Sequence, residues 1–212
     1  MTHPKRNQET ALGDLIADIL RDSFGIDLML MGSGAIRSYA LGPVVHYADL
    51  VECLPYDDAV YMLKVTGTQL ERMIRHILRD EAFQGEHTEF YQFSHGTHIV
   101  WSRSEQAFRT LTLDGEALHA ERLYTVAVQK YHYNNLKPFL DITLEEVEKN
   151  GKIRVLSTSA RDVVEEYLTV NQHLSGEVEG RLEVEDFPLT VILDTHGGDL
   201  YESGPAAYLS SL

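Results

Sequence analysis

Apolar residues recur at helical spacing in three places along the chain. Leu12, Leu15, Ile16, Ile19 and Leu20 mark one face of a helix predicted over residues 9–24, ending near Gly25. Leu70, Met73, Ile74 and Ile77 do the same for a helix over 66–79, which Thr66-Gly67-Thr68 opens. Val163, Val164, Tyr167 and Leu168 form the stripe of a third over 157–170, with Ser159 or Thr158 placed to cap its start. Shorter helices are predicted at 47–53, stopped by Pro55, and at 143–149. Between them lie short apolar runs. Residues 26–31 (IDLMLM), bounded by glycines, read as a buried strand. Further strands are predicted at 61–65, 97–101, 108–113, 124–129, 181–184 and 189–193, with Asp114-Gly115 a turn between two of them. The irregular interleaving favours an α+β fold: a single compact domain with mixed sheet or sheets packed against about three main helices.

A chain of 212 residues suits one domain with a small appendage. Its net charge of −15 argues against a nucleic-acid polymer as partner, because such binding needs many Lys and Arg contacts to phosphate. A small anion stays open, since two local arginines outweigh a distant acidic surface. Cys53 is the only cysteine, so an intrachain disulfide is excluded. No segment approaches the roughly 18 consecutive apolar residues of a membrane span, and the opening MTHPKRNQET has no signal-peptide core. These features lean toward the cytoplasm, with export the alternative if a preceding segment carries a signal.

Three features invite chemistry. Gly32-Ser33-Gly34-Ala35-Ile36-Arg37 follows a buried strand, and glycines there let backbone N–H groups turn toward an anion beside an arginine fork. A tight turn with a surface arginine has the same spacing. Tyr56 and Phe139 each follow a proline, where an aromatic held on a stiff segment can stack on a base; both also suit a core under a loop. Asp194-Thr195-His196 has the D-x-H look of a metal ligand pair, and His95 and His98 are three apart, so only a turn would converge them. No full ligand set accompanies either, and the reading assigns the chain no metal. No G-x-S-x-G elbow is present, and adjacent carboxylates such as Glu145/Glu146 diverge on a helix.

Taken in order, the motifs resemble the C-terminal domain of the 5′-nucleotidase / UDP-sugar hydrolase / cyclic-nucleotide phosphodiesterase family. They are RNQETALGDLIADIL (6–20), LMLMGSGAIRS (28–38), LVECLPYDD (50–58), LKVTGTQLERMI (63–74), FYQFSHG (90–96), LYTVAVQKYHYNN (123–135), RDVVEEYL (161–168) and VEGRLEV (178–184). The resemblance implies a nucleotide-binding domain over 1–184, with 185–212 an extension of one strand plus tail. It also implies a two-domain enzyme in which an N-terminal metallophosphatase domain holds two divalent metal ions and the catalytic groups. This chain would be the second domain alone, a fragment inactive by itself that holds a nucleoside monophosphate or related nucleotide; a stand-alone sensor module is the alternative. By the resemblance Arg6 and Arg37 contact phosphate, ribose or nearby groups, and Gly34 brings its backbone to the ligand. Tyr56 and Phe139 sandwich the base, and Asp58 meets its edge. Three departures stand out: Gly32 replaces a usual Asn, Asn135-Leu136-Lys137-Pro138 replaces G-G-D-G, and Asp58, an acceptor only when ionised, replaces Asn.

Overall fold

The structure is a computed structural model, which describes residues 8–83 and 89–185. Helix α1 (Ala11–Phe24) is capped by Thr10, whose side chain accepts from Gly13 N, and it stops at Gly25 in the left-handed conformation (φ 60°). Strand β1 (Leu28–Gly32) follows, then a 3-10 turn (Ser33–Ala35), α2 (Tyr47–Cys53), β2 (Val60–Thr66) and α3 (Gly67–Ile77). Thr66 and Gln69 close a reciprocal capping box at the start of α3. Next come α4 (Asp80–Phe83), β3 (Tyr91–Phe93), β4 (Thr97–Ser102), β5 (Ala107–Leu113), β6 (Glu116–Ala117) and β7 (Leu123–Gln129). The chain continues through α5 (Lys130–Tyr133), α6 (Leu136–Leu140), α7 (Leu144–Asn150), β8 (Arg154–Ser157), α8 (Ala160–Val170) and β9 (Leu182–Glu185). The three longest helices, α1, α3 and α8, are the three that periodicity marks, and the fold is the expected α+β arrangement with mixed sheets.

Five strands form the central sheet in the order β3-β1-β7-β2-β8, with β1 and β7 parallel and the other pairs antiparallel. Both faces are buried, which explains why the β1 run is apolar throughout rather than alternating. Leu28 and Leu30 point into one core with Leu63, Val65, Val126 and Val128. Met29 and Met31 point into the other with Val60, Met62 and Ala127, beneath α1, α2 and α8. The first core is shared with α3, with Leu140 and Val147, and with Ile99 and Trp101 of a second sheet ordered β6-β5-β4-β9.

Several elements differ from the sequence reading. The Asp114-Gly115 turn, with both residues at positive φ, joins β5 to the two-residue β6, and β7 belongs to the other sheet. Edge strand β8, which the sequence reading does not mark, precedes the third helix, and α8 begins after Ser159, its N-cap, which accepts from Asp162 N. The predicted strand at 189–193 lies outside the described residues, as does the extension beyond Glu185.

Two arginines fasten α1 to distant segments. Buried Arg21 donates to both Asp114 oxygens (2.8 and 2.7 Å), to His95 O (2.5 Å) and to His95 Nδ1 (2.6 Å). Arg181 donates to both oxygens of Asp18 (2.7 Å each) and to Phe93 O (2.8 Å). Nearby, the Glu9 carboxylate accepts from the backbone N–H groups of Glu179, Gly180 and Leu182.

Candidate functional site

A cavity of about 480 Å³ opens where three distant segments meet: the turn after β1, the loop between α2 and β2, and the end of β7 with α5. The turn is held by Ser33 N donating to Phe90 O (2.8 Å) and by Gln92 Nε2 donating to Ser33 Oγ (2.9 Å). Gly34 N donates to Glu89 Oε1 at 2.5 Å. A Cβ on Gly34 would stand 2.9 and 3.0 Å from the two Glu89 oxygens, so a larger residue there would push the carboxylate aside. Arg37 N is fixed by Cys53 O (2.8 Å), and its Nη2 donates to Tyr56 Oη at 3.2 Å. Its guanidinium carbon also lies 5.2 Å from the Tyr56 ring centre.

The loop carrying Tyr56 and Asp58 is anchored from behind by the first turn of α8. Ala160 N donates to Asp58 O (3.0 Å), Ser159 Oγ to Asp57 Oδ1 (2.6 Å) and Arg161 Nη1 to Leu54 O (3.2 Å). The third wall begins at Gln129, the last residue of β7, and runs through Lys130, Tyr131, His132 and Asn134. Gln129 and His132 are buried; Lys130 N donates to Ala59 O at 2.8 Å, tying this wall to the start of β2. Burial alone lowers His132 to about 4, so the imidazole is neutral near pH 7. The lining pairs two cations, Arg37 and Lys130, with two carboxylates, Asp58 and Glu89, so local charge is balanced although the whole chain is at −15.

Gly34, Arg37, Tyr56 and Asp58, expected from the sequence, therefore line one cavity. Phe139 does not line it: on α6 its half-buried ring packs against the larger core, 5.5 Å from Tyr131 and 5.7 Å from His132. Tyr131 is the aromatic exposed at that wall. Arg6 lies outside the described residues. Glu89, Gln129, Tyr131 and His132 went unnoticed in the sequence. The one signal for them is a polar residue closing an apolar strand, followed by the aromatic-rich KYHY.

The histidines weighed as metal ligands are placed otherwise. His95 Nδ1 accepts from Arg21 and its Nε2 donates to Asp22 Oδ1 at 2.7 Å, while His98 is exposed on β4. Asp194 and His196 lie outside the described residues. Among the described residues, no group of three or more His, Cys, Asp or Glu side chains is placed to hold a metal ion. No helix among them is long and apolar enough to cross a membrane.

Residues 1–140 match the family model described as 5′-nucleotidase, C-terminal domain. The chain belongs to this family. Comparison with curated proteins gave no match. Solved structures with the same fold include the 5′-nucleotidase precursor from Thermus thermophilus, with a TM-score of 0.72 and 21% identity over 88% of this chain and 37% of that one. The Haemophilus influenzae NAD nucleotidase matches at TM-score 0.65 and 14% identity, over 82% of this chain and 33% of that one. A Thermus thermophilus sulfate thiohydrolase matches at 0.59 and 13%, over 84% and 32%. This 5′-nucleotidase C-terminal domain thus spans about a third of the length of the structures it resembles.

Proposed function

We propose that this chain is the nucleotide-recognition domain of a metal-dependent 5′-nucleotidase-type phosphohydrolase, holding base and sugar phosphate for hydrolysis by an N-terminal metallophosphatase domain. The observation that carries the reading is the convergence of Gly34, Arg37, Tyr56 and Asp58 in one cavity, from segments joined only by the fold. Arg37 supplies a fork for phosphate or ribose oxygens, oriented by Tyr56 and by its own backbone bond to Cys53. Tyr56 offers one face for the base, and Tyr131, exposed across the same cavity where Phe139 is not, offers a second. Asp58 accepts from the ligand's N–H or O–H groups. Hydrolysis needs metal-activated water, which on this reading belongs to the metallophosphatase domain, so the chain alone binds without turnover.

Calorimetric titration with AMP, adenosine and ribose 5-phosphate tests it. AMP is expected to bind, Tyr56→Ala to weaken both AMP and adenosine by about tenfold or more, and Arg37→Ala to weaken AMP more than adenosine. If none of the three ligands binds at millimolar concentration, the reading is wrong.

A further inference from the structure

The floor of the cavity carries polar atoms to which the protein gives no partner. Gln129 is 1% exposed and His132 is 3% exposed, yet Gln129 Oε1, His132 Nδ1 and His132 Nε2 make no hydrogen bond within the described residues. Arg37 Nε, in the same cavity, is in the same condition. Buried polar atoms in folded proteins are nearly always satisfied, and each exception costs stability. Packing offers no return here. The His132 ring lies 4.9 Å from that of Tyr91 and 5.7 Å from that of Phe139, surroundings in which an apolar side chain of similar size sits without penalty. Gly32 sharpens the point: a Cβ there would fall 2.2 Å from His132 Cε1, so the end of β1 is kept bare where the imidazole lies.

The lining also has a polarity. Gln129 Oε1 and the Asp58 carboxylate are acceptors, the neutral imidazole adds one acceptor and one donor, and Arg37 Nε is a donor. A ligand that satisfies Gln129 and Asp58 brings donors to that part of the floor, and an oxygen to Arg37.

We propose that Gln129 and His132 are specificity-determining residues, which receive an edge of the nucleoside bearing adjacent N–H or O–H donors. This rests on the nucleotide-recognition reading and narrows it. Two parts of a nucleotide carry that chemistry: the 2′,3′-diol of ribose, and the ring N–H with the neighbouring amino group of guanine.

The experiment is calorimetry on the purified chain with GMP, AMP, 2′-deoxy-GMP and 2′-deoxy-AMP, repeated on Gln129→Met, His132→Leu and Tyr56→Ala. If the floor meets guanine, GMP binds about tenfold or more tighter than AMP. If it meets the diol, the two bind alike and each weakens by a similar factor on losing its 2′-hydroxyl. In either case Gln129→Met and His132→Leu keep or raise the melting temperature and bring the discriminating ratio toward one, a change that a purely structural role does not produce. Equal affinity of the wild type for all four ligands overturns the proposal. So does a discriminating ratio that survives both substitutions. Should His132→Leu fail to fold, the wild-type ratios and Gln129→Met still decide. The two readings separate cleanly: if nucleotides bind and Tyr56→Ala weakens them while the floor variants change nothing, only the floor is wrong. If the wild type binds none, both readings fall.

Discussion

Asp14, one turn into α1, carries a pH dependence that can be worked through. It is 1% exposed, 3.9 Å from the Arg181 guanidinium. Burial first, then the neighbouring Glu9 carboxyl and the negative charge of Asp18, raise its carboxyl from 3.8 to about 9, against the pull of Arg181. Asp14, almost fully buried, holds the proton. The folded state therefore binds one proton more than the unfolded state between these two values. The stability it contributes is complete below 3.8 and is lost as pH rises through about 9, at about 1.4 kcal/mol per pH unit. His132 has the opposite sign: it is lowered to about 4, and its contribution, present above 6.5, fades as pH falls through about 4. Cys53, raised from 9.0 to about 11, acts mainly above the range of interest. Between pH 7 and 8.5 Asp14 thus dominates, and the expected loss is about 2 kcal/mol, a sizeable share of the 5–15 kcal/mol typical of a domain. Urea denaturation followed by the fluorescence of Trp101, the single tryptophan and fully buried, measures it. Asp14→Asn keeps a neutral polar group that takes up no proton on folding, so it should be more stable than the wild type at pH 7, by up to about 4 kcal/mol, and show no such loss by pH 8.5. A wild type with flat stability over that range, or a variant with the same slope, refutes the assignment.

Other consequences are checked more briefly. Arg181→Met leaves Asp18 facing Asp14 without its cation and should cost about 3–5 kcal/mol in the same urea assay; a loss under 1 kcal/mol would show the pair to be screened. Gly67→Ala would place a Cβ 2.2 Å from His119 O at the start of α3, with an expected loss of about 1–3 kcal/mol and a lower melting temperature. Cys53, buried and with its thiol pushed up by burial, should resist thiol reagents in the native protein and react at the unfolding rate, so prompt modification under native conditions contradicts its placement.

Where a segment has one wet face and one dry face, the sequence was readable. The stripes of α1, α3 and α8 announce themselves, and Thr10, Thr66 and Ser159 cap them as side chains of their kind do. Legibility failed where the fold rather than the segment supplies the partner. β8 is an edge strand whose Arg154 and Val155 are exposed, so it carries no alternation to find. β3 is three residues long and is stabilised by pairing with β1, some sixty residues earlier in the chain. In the cavity, Gly34, Arg37, Tyr56 and Asp58 were found because their motifs are ordered like a family's. Gln129 and His132 stand out through burial, which the string QKYH does not reveal. Phe139 follows the same logic in reverse: Pro138 does not hold it on an open loop, because 136–140 coils into α6 and turns the ring toward Tyr131 and His132.

The clasp of Glu9 on residues 179–182 has a bearing on how the domain comes into being. Its hydrogen bond to Gly180 spans 171 residues of sequence, and Arg181 reaches α1 across 163. Pairings so distant make for a high contact order and slow folding, since the loop must close before anything is gained. During synthesis α1 emerges with Ile16, Ile19 and Leu20 uncovered; β1 and β3 reach it first, and the cover that α8 adds comes only near the end of the described fold. Such a nascent chain exposes apolar surface for most of its elongation and should depend on chaperones more than a helical bundle of equal size. For the same reason a stop at residue 178 would not trim the domain; it would unfasten the helix with which the described fold begins.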